Sequence, residues 1–382
     1  MTDVSLAAGR IPIIPSERVR PARRPLLYLV GQLTAGGQER QLIYLVRGLL
    51  ERGHRPELAV WNYAETDAFA SAIHALGVPV HPLGSDGRAR KIARLRALVA
   101  RLQPGVLHSY SFYTNFIAAV AAAGRPTVGV GSIRDELFAQ RRASGPLVGS
   151  LSALWPRTKI CNSQRVADRL GTRGRLLAGQ VLVVRNGLDV STFVCDPRLP
   201  ERTHVVGAGR LVPQKRWDLL VSAVQRVTAA GHDVHVTVAG EGPLGGELEA
   251  LARRLGVADR VRFMGLSRDV PQLLAGASFL VLASDYEGCP NVVMEAMACG
   301  RAVVATEAGD VPYLVEDGVT GFVVRPGDLD GLVARMTALA RSPELVARMG
   351  RAGRQRAERE LGVARLVEQT LAAYRRAGWR DG

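Results

Sequence analysis

The chain reads as two doubly wound α/β domains joined by a short linker, and three observations predict this. Its 382 residues suit two domains of ordinary size. Through both halves, short apolar runs alternate with helical periodicity, the pattern of parallel strands covered on both faces. At 186–202 the alternation is interrupted by Gly187, Pro197, Pro200 and mixed charge, the composition of a linker.

Residues 1–24 carry three prolines and five arginines without a period, and are expected to form a flexible basic arm. Order begins at 26–30, an unbroken apolar run that stops at Gly31, as a buried strand does. Further strands of the first half are expected at 57–61, 78–81, 106–110, 127–130, 158–161 and 181–184. Helices are expected at 38–52, 67–76, 88–102, 113–123 and 164–170, with an irregular stretch at 135–156. The second half repeats the theme, with strands at 203–208, 234–239, 261–264, 279–283, 302–306 and 321–324 and helices between. Three Arg- and Ala-rich helical stretches close the chain.

A hydrophobic content of 47% with 41 glycines excludes disorder over the whole chain, collagen and coiled coil. Apolar runs such as 116–123 fall well short of the ~20 residues of a membrane-spanning helix. The N-terminus lacks the charged-then-apolar pattern of a signal peptide. Four cysteines are too dispersed for metal spacing and too few for a disulfide framework, so a reducing cytoplasm is expected. The formal net charge is +15, and it is lopsided: residues 1–199 hold 27 basic and 13 acidic side chains, residues 200–382 hold 23 and 22. With no aromatics interleaved among the arginines, nucleic acid is not the expected partner. A basic first half better suits an anionic acceptor or the anionic inner face of a membrane.

Ligands of doubly wound domains bind beyond the carboxyl ends of the strands, so candidate residues are sought there. After the strand at 279–283 come Glu287, Gly288 and Cys289. Pro290 suits the first position of a helix that Gly300 ends, and Glu295 lies one turn in. The N–H groups of Asn291, Val292 and Val293 at such a helix start form a ready anion site. Two carboxylates flanking it can grip hydroxyls on either side of a diphosphate, although each is also an ordinary acid for its place. After the strand at 203–208, Gly209, Arg210 and Lys215 offer two cations five residues apart. Lys215 is one of three lysines in an arginine-dominated chain, which points to a need for a compact ammonium.

The segment from Phe279 to Gly300 resembles the E-x7-E region of retaining glycosyltransferases of family 4, enzymes with two Rossmann-like domains facing across a cleft (the GT-B fold). The resemblance covers nearly the whole ordered chain. It implies that Arg210 and Lys215 hold the donor diphosphate, Glu287 the donor sugar and Glu295 the ribose. Gly240, Glu241 and Met264 resemble the turn and strand beside the nucleoside, and Gly36 and Gly37 the glycine loop of the first domain. The loop Ala308-Gly309-Asp310-Val311-Pro312 departs from the family's Gly-Gly and following Glu. Near the reacting sugar, where family members often carry a histidine, Arg134 is the candidate instead. His108, Tyr110 and Tyr113 follow a strand and are expected on the acceptor side.

The expected division is 1–24 arm, 25–195 acceptor domain, 196–365 donor domain and 366–382 a helix crossing back to the first domain. The expected activity is retaining hexosyl transfer from a UDP- or GDP-linked sugar to a glycan or lipid-linked acceptor in cell-surface polysaccharide or glycolipid synthesis. No metal or other cofactor is expected, since Arg210 and Lys215 stand in for the ion. The alternatives are a related phosphorylase or sugar-nucleotide epimerase, and a non-catalytic basic binding protein.

Overall fold

The computed structural model describes residues 23–34, 36–172, 179–267 and 269–380. The expected basic arm thus lies almost entirely outside the described residues. Two parallel sheets organise the chain. The first contains β1 (Leu26–Val30), β2 (Pro56–Val60), β3 (Val80–Pro82), β4 (Val106–Ser109), β5 (Val128–Ile133), β6 (Thr158–Cys161) and β7 (Gln180–Val183). The second contains β8 (Thr203–Ala208), β9 (Val234–Ala239), β10 (Val261–Phe263), β11 (Phe279–Leu282), β12 (Ala302–Thr306) and β13 (Gly321–Val324). Their strand orders among the described residues are 3-2-1-4-5-6-7 and 10-9-8-11-12-13. Each order reverses beside its first strand, so each sheet has a switch point, between β1 and β4 and between β8 and β11.

Strand alternation explains the layers. In β1, Leu26, Tyr28 and Val30 enter one core while Leu27 and Leu29 enter the core on the opposite face. In β11, Phe279 and Val281 face one way and Leu280 and Leu282 the other. All nine side chains are fully buried, which only helices on both faces of each sheet can achieve.

Around the first sheet lie α1 (Gly37–Leu50), α2 (Ala70–Ala75), α3 (Arg88–Leu102), α4 (Asn115–Ala122), α5 (Leu137–Ala143), α6 (Pro146–Leu154) and α7 (Gln164–Thr172). Around the second lie α8 (Trp217–Ala229), α9 (Gly245–Arg254), α10 (Val270–Ala275), α11 (Asn291–Ala298), α12 (Val311–Leu314), α13 (Leu329–Arg341) and α14 (Pro343–Glu360). The stretch expected to be irregular at 135–156 is instead the helical hairpin α5–α6, broken only at Ser144-Gly145. Gly145 has φ +81, and Pro146 starts the next helix with a preset φ. The helix expected at 67–76 is shorter, because Asp67 turns inward and accepts from the Leu33 amide. No helix among the described residues is long and apolar enough to cross a membrane.

The final helix, α15 (Val363–Arg376), lies on the first lobe against α1. Gly48 of α1 permits the approach, since a methyl there would sit 2.6 Å from Val367. The chain passes between lobes at two adjacent places: the Leu188 amide donates to the Leu361 carbonyl, and Leu188 bridges Gly362. Leu188 and Phe193 bury in the second lobe, so that lobe's core reaches back past the division expected at 195/196. Tyr374 of α15 is fully buried in the first lobe, with its hydroxyl 2.9 Å from the Tyr28 hydroxyl and 2.7 Å from His108 Nδ1.

Replacing Tyr374 by Phe strands His108 and Tyr28 without that shared partner. Urea unfolding of the first lobe should show a loss of about 1–3 kcal/mol.

Candidate active site

Both switch points open onto one cleft of about 510 Å³ between the lobes. The first lobe contributes Gly37, Gln38 and Arg40 after β1, and Arg134, Asp135 and Gln140 after β5. The second contributes Gly209, Arg210 and Lys215 after β8, and Glu287 through Val292 with Glu295 after β11. Four cations thus face three carboxylates, with the N-terminus of α11 among them.

Local bonding aims each group. The loop after β8 is tied to the loop after β11, since the Asp285 amide donates to the Gln214 carbonyl and Gln214 Nε2 to that of Tyr286. Arg216 adopts φ +50, strain for a side chain of its size, and ion pairs with Asp218 and Asp285 hold it. That kink ends the turn carrying Lys215, whose ammonium meets Glu287 Oε1 at 2.5 Å. Ser284 donates to the same oxygen at 2.6 Å. Arg210, by contrast, has no side-chain hydrogen bond or ion pair among the described residues, while Trp217 Nε1 holds its carbonyl.

At the start of α11, Pro290 is the residue before the helix, not its first member, and its carbonyl takes the Val293 amide. Of the three N–H groups expected there, those of Asn291 and Val292 remain for an anion. The Asn291 side chain is committed across the cleft: its Nδ2 donates to the Gly37 carbonyl at 3.0 Å, and its Oδ1 accepts from Asn186 at 2.7 Å. Gly288 allows the lobes to touch, because a methyl there would collide with the Arg134 carbonyl and with Asn162. Cys289 is buried and its thiol is pushed up to about 12 by that burial, so it is no nucleophile. Glu295 is 3% exposed and burial raises its pKa against the pull of Arg40, which it meets at 2.6 Å.

Within the loop that departs from the family pattern, Asp310 has a structural role. Its side chain is wholly buried and joins the lobes, accepting from Arg185 Nε at 2.6 Å, Ser163 Oγ at 2.8 Å and the Arg165 amide at 3.2 Å. Ser163 also accepts from the Val166 amide, so it caps α7 while bridging to the other lobe.

Other expected residues fall farther out. Gly240 packs on the Gly209 carbonyl, while Glu241 accepts from the Leu266 amide at 3.3 Å. Both lie with Met264 outside the main chamber. Gly36 precedes α1 at the rim. On the acceptor side the expectation needs correction. His108 is 1% exposed and bonded to Tyr374 and Ser132, and burial keeps it neutral, so it belongs to the core and does not reach the cleft. Tyr110 is equally buried beneath Arg134, whose guanidinium lies 3.8 Å from its ring centroid. Tyr113 is half-buried against Gly31, outside the chamber. Arg134 alone of the four lines it.

Two charged residues of the cleft wall escaped sequence reasoning. Arg40 had a faint signal, a cation in the first turn of a helix where the dipole disfavours one. Asp135 had none. It is largely buried, and burial reinforced by the nearby Glu287 raises its pKa from 3.8 to about 6, against the pull of Lys215 and Arg210. The folded value exceeds the unfolded one, so this site stabilises the fold most below about pH 4, and the contribution is lost as pH rises through about 6. Asp135→Asn should flatten that slope in urea titrations. It should also raise stability at pH 7.5 by about 1–2 kcal/mol, allowing for solvent screening at this partly open site.

Comparison with known proteins agrees with this geometry. Residues 35–192 match the family model described as Glycosyltransferase Family 4, and residues 202–342 the one described as Glycosyl transferases group 1. The chain is 37% identical over 227 residues to alpha-maltose-1-phosphate synthase of Mycobacterium tuberculosis, covering 51% of this chain and 57% of that protein. It is 30% identical over 182 residues to alpha-D-kanosaminyltransferase of Streptomyces kanamyceticus, covering 47% of each. The chain thus spans about half the length of the curated relatives it matches. In fold it is similar to Anabaena HepE in complex with UDP, with TM-score 0.77 and 22% identity over 92% of this chain and all of that one. Sucrose-phosphate synthase of Thermosynechococcus elongatus is also similar, at TM-score 0.77 and 20% identity over 92% and 99%. With both lobes matched by consecutive family models and both sheets arranged as in GT-B structures, the chain belongs to glycosyltransferase family 4.

Proposed function

We propose that the protein transfers a sugar from a nucleoside diphosphate donor to an acceptor held by the first lobe, with retention at the anomeric carbon. The observation that carries this is the convergence of Arg210, Lys215 and the α11 N-terminus on one side of the cleft, with Glu287 and Glu295 flanking them. Such an array stabilises charge developing on a departing diphosphate, the largest single source of rate in sites of this kind. Glu287 is placed to hold sugar hydroxyls and Glu295 those of the ribose. Retention follows from front-face attack, in which the leaving phosphate takes the acceptor proton. The two cations take the role a metal has elsewhere, so transfer is proposed to be metal-independent. Closure of the lobes would exclude water.

Uridine and guanosine donors are the first to test, because HepE was solved with UDP-glucose and a 34% identical relative in Mycolicibacterium smegmatis is a GDP-mannose-dependent mannosyltransferase. A lipid-linked acceptor at an anionic membrane suits the hairpin at the cleft rim. Leu147 and Trp155 are exposed there beside Arg142 and Arg157, and residues 137–167 contain no acid. The place of action proposed is therefore the inner face of the cell membrane.

Lys215→Ala should lower turnover at saturating donor by about 10²–10³-fold. Wild-type turnover in that variant would overturn the assignment, and NMR of the product's anomeric proton reads the stereochemistry. Leu147→Asp should weaken binding to vesicles containing phosphatidylglycerol, measured by co-sedimentation. Equal binding of the wild type to neutral and anionic vesicles would remove the membrane proposal.

A further inference from the structure

Arg40 and Glu295 come from opposite lobes and meet at 2.6 Å on the wall of the cleft. Among the described residues Arg40 is the one hydrogen-bond partner of the Glu295 carboxylate, and that side chain is 4% exposed. Arg40 itself is about one-third exposed, and its exposed part faces the chamber. It stands in the first turn of α1, where the helix dipole opposes a cation, so its place is held by an anion from outside its own helix. The next contact along the same seam joins Asn291 at the start of α11 to Gly37 at the start of α1. An anion seated on the α11 N-terminus would therefore lie against the flank where Arg40 stands.

Building on the donor-site reading above, we propose that Arg40 is a latch that exchanges partners with the donor. The nucleoside's ribose hydroxyls take over Glu295, and the diphosphate takes over Arg40. The physical reason is balance. A buried carboxylate deprived of its cation must find other donors, and a guanidinium deprived of its carboxylate needs another anion. A nucleoside alone satisfies the first demand and strands Arg40. Pyrophosphate alone satisfies the second and strands Glu295. Only a molecule carrying both parts, at the right spacing, replaces the interlobe pair without loss. The latch thereby makes the cleft selective for the intact nucleoside diphosphate over its fragments.

The test compares fragments on the full chain by ligand-observed NMR and calorimetry, using uridine or guanosine, the matching diphosphate, and inorganic pyrophosphate. In Arg40→Ala the nucleoside should bind about 3-fold tighter than in wild type, while the diphosphate binds about 10-fold more weakly. The preference for the diphosphate then shrinks by about 30-fold. Arg40→Lys should recover part of it. In Glu295→Gln, which keeps the shape of the side chain, pyrophosphate should bind about 3-fold tighter and the nucleoside more weakly. If Arg40 is only a strut between lobes, each variant will weaken all three probes by a similar factor, and that result would overturn the exchange alone. Failure of wild type to bind either diphosphate would overturn the donor reading and the exchange together.

Discussion

A buried carboxylate is costly unless charged and hydrogen-bonding partners surround it, and Asp310 is buried at a junction where its partners come from the opposite lobe. Arg185 neutralises it, and Ser163 and the Arg165 amide fill its remaining acceptor sites. This requirement sets the distance between the two sheets at their carboxyl ends. The cleft walls follow from it: Gly288 can rest on the Arg134 backbone, and the starts of α1 and α11 face each other through Asn291. The site is a property of the joint, since neither lobe alone brings Arg134 and Asp135 to Glu287.

Within the cleft, opposite charges are held in pairs that are close to balance. Glu287 answers Lys215 and Glu295 answers Arg40, while Arg210 is left uncommitted among the described residues. Lys215 is already held in place by folding when a polyanion arrives, which is how preorganised electrostatics lowers a barrier, whereas the Arg40–Glu295 pair changes partners. The same economy explains the raised pKa of Asp135, a third carboxylate close to Glu287 in a space with limited solvent.

Much of the fold was legible because buried parallel strands announce themselves as unbroken apolar runs, and all thirteen strand starts fall within two residues of expectation for that reason. The α5–α6 hairpin was not, because seven- and nine-residue helices around Ser144-Gly145-Pro146 lack the length over which helical periodicity can be counted. The donor-side groups were legible through spacing after strands, since Arg210, Lys215, Glu287 and Glu295 all line one chamber. The first-lobe side was harder. His108 follows the same positional rule as Arg134, yet it sits inside β4, where its ring meets Tyr374 from a helix 266 residues away. Contacts between lobes, such as Arg40 with Glu295, leave almost no trace in a linear pattern.

The return of α15 has a consequence for how the molecule is made. Tyr374, Val367 and Leu371 complete the core of the first lobe, and the hydroxyl pair of Tyr28 and Tyr374 closes a loop of 346 residues. A nascent first lobe leaves the ribosome with α1 uncovered and must wait for the whole second lobe. At elongation rates of about 5–20 residues per second, that interval is on the order of ten seconds or more. During it, the face of α1 around Gly48, which Val363 and Val367 later cover, is open to chaperones, so biogenesis is sequential although the finished protein looks modular.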